Sequence, residues 1–193
     1  MDLWWARGAV IAAIAGLIAI RAPHGKRSRT VPVKRRAVGP LERVLLLFAV
    51  ASTFVPLVWL WRPVFPFAEY PLEPVPYAAG LVLVAVGLWL FHRSHADLGT
   101  NWSITLELRE GHTLVTEGVY RRIRHPMYAA LFLYSIGLAL VVPNWVVGPI
   151  YLVSFGLLFA FRVRREERLM RDEFGPAYDG YCARTKRLVP ALW

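Results

Sequence analysis

Residues 127–161 read MYAALFLYSIGLALVVPNWVVGPIYLVSFGLLFAF, 35 positions without one charged side chain. A bilayer core about 30 Å thick is crossed by roughly 20 apolar helical residues, so this stretch holds two crossings. Pro143-Asn144 is where it turns. The expected crossings are Met127–Val142 and Trp145–Phe161. A link this short forces the two helices to lie side by side. The chain just before Met127 and the chain just after Phe161 are therefore expected to start close together, on the same side of the membrane.

Three further apolar runs precede this pair. Leu3–Ile20 is interrupted only by Arg7, whose long side chain can reach back to the interface. Val44–Trp61 carries Pro56, where a kink is expected. Pro76 sits at a first-turn position and opens Pro76–Phe91. The sequence thus reads as an all-α integral membrane protein of five transmembrane helices. Residues 1–193 form one domain, with three crossings in 1–91 and the terminal hairpin in 92–193. Composition agrees, since 56% hydrophobic residues and a mean hydropathy of +0.42 exclude a solvated globule. Aromatics at 13% exclude disorder. Cys182 is the only cysteine, which excludes an internal disulfide and a zinc-finger cluster.

The chain carries 23 Lys and Arg against 13 Asp and Glu, a formal charge of +10. Of those cations, 21 fall in residues 21–43, 92–126 and 162–193, and only Arg7 and Arg62 fall elsewhere. Cytoplasmic loops retain Lys and Arg, so the N-terminus is expected outside and the C-terminus in the cytoplasm. The run Lys26, Arg27, Arg29, Lys34, Arg35, Arg36 lacks the interleaved aromatics of a nucleic-acid surface. It reads as a topology determinant beside anionic lipid. Leu3–Ile20 is expected to be retained, because Ile20-Arg21-Ala22-Pro23 offers no small-x-small cleavage site.

No two glycines are spaced two apart, so a G-x-G-x-x-G nucleotide loop is absent. Gly175 and Gly180 have P-loop spacing, but Tyr181 follows where Lys is required. G-x-S-x-G is absent too. His92, His95 and Asp97 share a neighbourhood below the third crossing but lack a fourth ligand, and read as an interfacial polar patch rather than a metal site.

Chemistry is therefore sought in the two cytoplasmic segments. The hairpin brings Arg124-His125-Pro126 near Arg162 and Glu166-Glu167. Adjacent glutamates point about 100° apart on a helix, so at most one faces a ligand. On spacing alone both could be solvated, with Arg171 available to Glu167 at i+4, and Pro126 could be only a helix start. The tail reads as helix from about Arg162 to Phe174, stopped by Gly175-Pro176.

The runs His112-Thr113-Leu114-Val115-Thr116-Glu117-Gly118-Val119-Tyr120, Arg124-His125-Pro126-Met127-Tyr128, Glu166-Glu167 and Phe174-Gly175-Pro176-Ala177-Tyr178 occur in that order. Together they resemble the isoprenylcysteine carboxyl methyltransferase family, related to the phospholipid N-methyltransferases, over residues 98–190. The resemblance implies methyl transfer from S-adenosylmethionine to a lipophilic acceptor at the cytoplasmic face, foremost the carboxylate of an isoprenylcysteine-like substrate. It implies that His112, Thr113, Leu114, Val115, Tyr120, His125, Pro126, Met127, Tyr128 and Glu166 hold the cofactor. Arg162, with Arg164 as second choice, is implied to handle the acceptor. Glu167 is the adjacent candidate, and could serve as a base toward an amine acceptor. Implied partners are a prenylated or other lipophilic substrate and membrane lipid, with no nucleic acid and no metal. One departure is Ala130, where the family usually has glycine; an added methyl there could narrow the cofactor cleft.

A sulfonium methyl is already activated, so the main task is in-line placement, worth at best about 7–11 kcal/mol. A carboxylate acceptor is anionic at neutral pH and needs only an arginine to offset its desolvation. Two other classes compete. Membrane sterol reductases, which use NADPH, share a related His-Pro-x-Tyr segment, but theirs usually reads Asn-Tyr followed by Gly-Glu or Gly-Asp, against Met127-Tyr128-Ala129-Ala130 here. In a non-catalytic scaffold, Glu166, Glu167 and Arg162 would be only an interfacial salt-bridge cluster.

Overall fold

A computed structural model describes residues 1–28, 30–36 and 38–191, without the side chains of Arg36 and Arg109. Arg29 and the Arg36 side chain, counted above in the basic run, and Leu192 and Trp193 at the end of the tail lie outside the described residues. The chain is mostly helical: α1 (Leu3–Ser28), α2 (Pro40–Trp61), α3 (Pro74–Leu98), α4 (Pro126–Val141), α5 (Ile150–Phe174) and α6 (Pro176–Arg184). α1, α2 and α3 are long and apolar enough to cross a membrane, and α4 is a shorter apolar helix. These positions match four of the expected runs. The fifth differs in extent. Asn144 caps a turn that delays α5 to Ile150, its side-chain oxygen accepting from the backbone N–H of Val146 and Val147. From there the helix continues unbroken through Arg162 to Gly175, whose φ of +52° ends it.

One feature departs from the all-α reading. A short antiparallel pair joins β1 (Val33–Arg36) to β2 (Glu107–Arg109), and its partners lie too far apart in the chain for any local pattern to signal. The tail helix stops at Gly175-Pro176 as expected, and a further helix follows it. Pro176 starts α6 at its first position.

α3 and α4 are antiparallel and touch backbone to backbone. A Cβ on Gly80 would sit 2.8 Å from the Gly137 carbonyl, one on Gly137 2.7 Å from that of Gly80, and one on Gly87 2.9 Å from that of Ala130. Small residues permit this approach, the usual solution where lipid supplies no hydrophobic drive between helices. The register places Pro126 beside Phe91 and Val141 beside Pro76, so α4 spans the same depth as the apolar part of α3. Ala130 is fully buried in this contact and does not line the cavity described below, so its methyl does not narrow a cofactor cleft.

The hairpin geometry is borne out, since α4 and α5 lie side by side through ring contacts of Tyr128 and Phe132 with Phe155 and Phe159. α2 meets α5 at the buried Ser52 and Ser154 hydroxyls, 2.5 Å apart. α1 runs parallel to α3: the Tyr77 hydroxyl donates to the Trp5 carbonyl (2.9 Å), and Gly16 abuts Leu88. That offset sets Arg21, near the end of α1, level with Arg93, within a turn of Phe91.

Candidate functional site

A cavity of about 510 Å³ lies between α1, α2, α4, α5 and the segment joining α3 to α4, within the usual range of small-molecule sites. α5 gives it one stripe at helical spacing: Tyr151, Phe155, Leu158, Arg162, Glu166, Leu169. That stripe runs along about 27 Å of helix. Its first half is apolar and faces Leu46, Val50 and Phe54 of α2, whereas its second half faces the polar cytoplasmic segments. Ile18, Leu47, Val50 and Phe54 line the cavity and are also exposed on the outer surface. The wall between α1 and α2 is therefore open sideways.

Ten of the twelve residues singled out from sequence line this one cavity: His112, Thr113, Leu114, Val115, Tyr120, His125, Met127, Tyr128, Arg162 and Glu166. Pro126 and Glu167 do not. Pro126 begins α4 and is buried. The two glutamates separate as the 100° rule requires. Glu166 faces the cavity, its side chain 31% exposed, and accepts from the Tyr128 hydroxyl at 2.5 Å. Glu167 is 1% exposed and points away from the cavity into the joint between α5, the approach to α4 and the chain after α6.

That joint is built from long-range pairs. Glu167 Oε1 accepts from Arg124 Nε and Nη2, both 3.2 Å, and from Arg187 Nε at 3.0 Å, and Oε2 accepts from Arg187 Nη2 at 2.8 Å. His125 Nε2 lies 3.4 Å from Oε1. Burial alone would raise the Glu167 pKa, but the hydrogen bonds and charges of His125 and Arg187 outweigh it and hold the carboxyl well below the usual carboxylate range. Backbone bonds complete the clamp, with Arg124 N–H donating to the Lys186 carbonyl (2.7 Å) and His125 N–H to that of Arg187 (3.0 Å). Arg124 Nη1 also donates to the Thr185 carbonyl. Arg171, expected beside Glu167, pairs instead with Asp179 at 3.1 Å.

Arg162 is 7% exposed. Its Nη1 donates to the Ile104 carbonyl at 2.8 Å, and its Nε stands 3.6 Å from Glu42 and 3.9 Å from Glu166. Glu42 is completely buried in the first turn of α2, and its oxygens have no closer partner. The segment after α3 arches over the cavity. Trp102 anchors it by donating to the Met127 sulfur (3.1 Å) and by accepting at its carbonyl from Ser28 Oγ (2.6 Å). Asn101 secures Thr113 through Nδ2 to Oγ1 (3.1 Å) and Thr113 N–H to Oδ1 (3.0 Å). Gly118 begins the turn that presents Tyr120. Its φ is +60°, and a Cβ would lie 2.1 Å from Asp97 Oδ2, which accepts from the next backbone N–H at 2.9 Å. Asp97 also pairs with Arg93, while His95 bonds the Phe91 carbonyl. Asp97 and His95, both within α3, thus serve separate local bonds.

Sequence reasoning missed Arg21, Glu42 and Arg187. Glu42 carried a faint signal as a lone acid at the head of an apolar helix. Arg21 and Arg187 could not be told from other basic residues, because their partners are 20 to 81 positions away.

A model of the phospholipid methyltransferase family matches residues 75–177, over half of the chain. Among curated proteins, protein-S-isoprenylcysteine O-methyltransferase of Rattus norvegicus is 34% identical over 117 residues, 60% of this chain and 41% of that protein. The corresponding protein B of Arabidopsis thaliana is 32% identical over 117 residues, 58% of this chain and 57% of that protein. The chain therefore spans about two fifths to three fifths of these relatives. A solved structure of a eukaryotic intramembrane Ras methyltransferase, an isoprenylcysteine carboxyl methyltransferase, superposes with a TM-score of 0.56 and 25% identity, covering 80% of this chain and 54% of that one. The resemblance read from the motifs is thereby borne out.

Proposed function

This chain belongs to the phospholipid methyltransferase family, and we propose that it transfers a methyl group from S-adenosylmethionine to a lipophilic acceptor, the carboxylate of an isoprenylcysteine-like group. The observation that carries this reading is that one cavity gathers ten motif residues and continues into an apolar part whose Ile18, Leu47, Val50 and Phe54 are also exposed on α1 and α2. The donor set fits the cofactor. Glu166 offers an acceptor to an ammonium or ribose hydroxyl, His125 a ring nitrogen, Arg124 positive charge, and Leu114, Val115 and Met127 apolar surface. When bound, the cofactor supplies an electrophilic methyl on sulfur.

The chain's own residues do the rest. Tyr128 orients Glu166 through their short hydrogen bond, and the Glu167 clamp fixes His125 against the same wall. Arg162, buried and bonded to Ile104, holds the covering segment over the acceptor's position and adds positive charge there. Glu167 stays ionised but is held by Arg124 and Arg187, with His125 beside it, so it serves the clamp better than it serves as a base. An anionic acceptor needs no base. In this reading residues 1–193 work as one unit, with 1–91 supplying the apolar walls. α4 and the apolar part of α5 make the fourth and fifth crossings, with the N-terminus outside and the C-terminus and site cytoplasmic. Two features support that topology: α4 packs along α3 from Gly80 to Gly87, and 21 of the 23 cations fall in residues 21–43, 92–126 and 162–193, the segments this topology puts on one face.

Purified protein in detergent tests the reading. S-adenosylhomocysteine should bind by isothermal titration and raise the melting temperature, and an S-farnesylcysteine derivative should be methyl-esterified. Stabilisation by NADPH with no effect of S-adenosylhomocysteine would favour the reductase class, and no response to either would favour a scaffold.

A further inference from the structure

Three guanidinium groups line the cavity, those of Arg21, Arg124 and Arg162. Two are already matched by acids, Arg124 by Glu167 at 3.2 Å and Arg162 by Glu42 and Glu166 at 3.6 and 3.9 Å. Arg21 differs. No carboxylate lies within 4 Å of it among the described residues; its guanidinium sits 5.6 Å from the Trp102 ring centroid, half-buried on α1. A ring face holds a cation in place without neutralising it. Arg21 reaches this cavity from α1 against Trp102 and Arg162 reaches it from α5, so the unmatched cation and the matched one share one cavity.

A partly desolvated guanidinium without a counter-ion calls for an anion. We infer that Arg21 binds the carboxylate of the acceptor and so sets the preference for an acidic head group, with Arg162 as a screened second cation. α1 lies outside the family match at 75–177, so this role belongs to this chain's own first helix. The inference rests on the proposed function, because it presumes that the cavity takes both the methyl donor and a lipophilic acceptor.

The test uses full-length protein saturated with S-adenosylhomocysteine. It compares, by isothermal titration, N-acetyl-S-farnesylcysteine with its neutral carboxamide. Wild type should bind the acid at least tenfold more tightly than the amide. Arg21→Gln should weaken the acid roughly ten- to hundredfold, as expected for a lost hydrogen bond to a charged group, while affinity for the amide and for S-adenosylhomocysteine stays the same. Arg21→Lys keeps the charge but loses the planar fork, so it should weaken the acid alone and by less. It carries the test if Arg21→Gln does not fold. The inference is overturned if both variants keep wild-type affinity for the acid, if acid and amide weaken equally, or if affinity for S-adenosylhomocysteine falls, which would assign Arg21 to the donor's carboxylate. Wild type binding neither S-adenosylhomocysteine nor either acceptor would overturn the proposed function itself, and Arg21's role with it.

Discussion

Replacing Glu167 by glutamine removes one charge from a site where three basic side chains converge. The oxygens receive two bonds from Arg187 at 3.0 and 2.8 Å and two from Arg124 at 3.2 Å, and the carboxylate is 1% exposed. Breaking a buried pair from one side costs about 3–5 kcal/mol, because the remaining charge stays desolvated. Arg187 is 29% exposed in its side chain and regains some water, which sets the expected loss near the lower end, about 3 kcal/mol. For a chain of this size that corresponds to a fall in melting temperature of roughly 6–12 °C. Glu166→Gln makes the contrast. Its side chain already faces the cavity, so stability should change by less than about 1 kcal/mol. Affinity for S-adenosylhomocysteine should drop roughly 10- to 150-fold for a lost charge-assisted bond. Thermal melts in detergent and isothermal titration on both variants decide the matter. A Glu167→Gln protein that melts like wild type but binds the probe poorly would refute the division of labour between the two glutamates.

The same clamp predicts a pH dependence. The folded pKa of Glu167 lies below its unfolded value of about 4.3, so its contribution is complete above that value. It is lost as pH falls through the ordinary carboxylate range toward the folded pKa. Melting temperature followed from pH 5 down to 2 should therefore decline more steeply in wild type than in Glu167→Gln; parallel curves would count against the clamp. Gly118→Ala should cost roughly 2–4 kcal/mol through its positive φ and the collision with Asp97, read as a lower melting temperature. Ala130→Gly should lower stability by about 1 kcal/mol from helix propensity and leave S-adenosylhomocysteine affinity unchanged, since the methyl lies against α3. A change in that affinity would return Ala130 to the cleft.

What could be read from the sequence follows from the range over which each signal acts. Hydropathy is local, so the apolar cores of α1 to α4 are legible, whereas α1 and α3 run on to Ser28 and Leu98, past the expected ends at Ile20 and Phe91. The tight link between α4 and α5 then implied that His125 and Glu166 meet, and they do, with 3.8 Å between Nδ1 and Oε1. Helix geometry alone divided Glu166 from Glu167. Beyond that, the Glu167 clamp draws on Arg187, the Arg162 site on Glu42 and Ile104, and the cover on Ser28, all set by tertiary packing. α1 also runs past Pro23 to Ser28, although that proline frees the Ala19 carbonyl. Ending the first crossing at Ile20 left Arg21 among loop cations and hid its place in the cavity wall.

The sideways gap between α1 and α2 bears on how an acceptor would travel. Drawing a prenyl chain into water costs about 0.8 kcal/mol for every methylene exposed, a barrier that grows with each isoprene unit. In the proposed function, Ile18, Leu47, Val50 and Phe54, which line the cavity and are exposed on α1 and α2, would let a lipid-anchored acceptor enter by two-dimensional diffusion, keeping its tail in hydrocarbon throughout. Longer chains would then be delivered as readily as shorter ones, and discrimination among them would rest on how much of the tail the α2–α5 groove can cover.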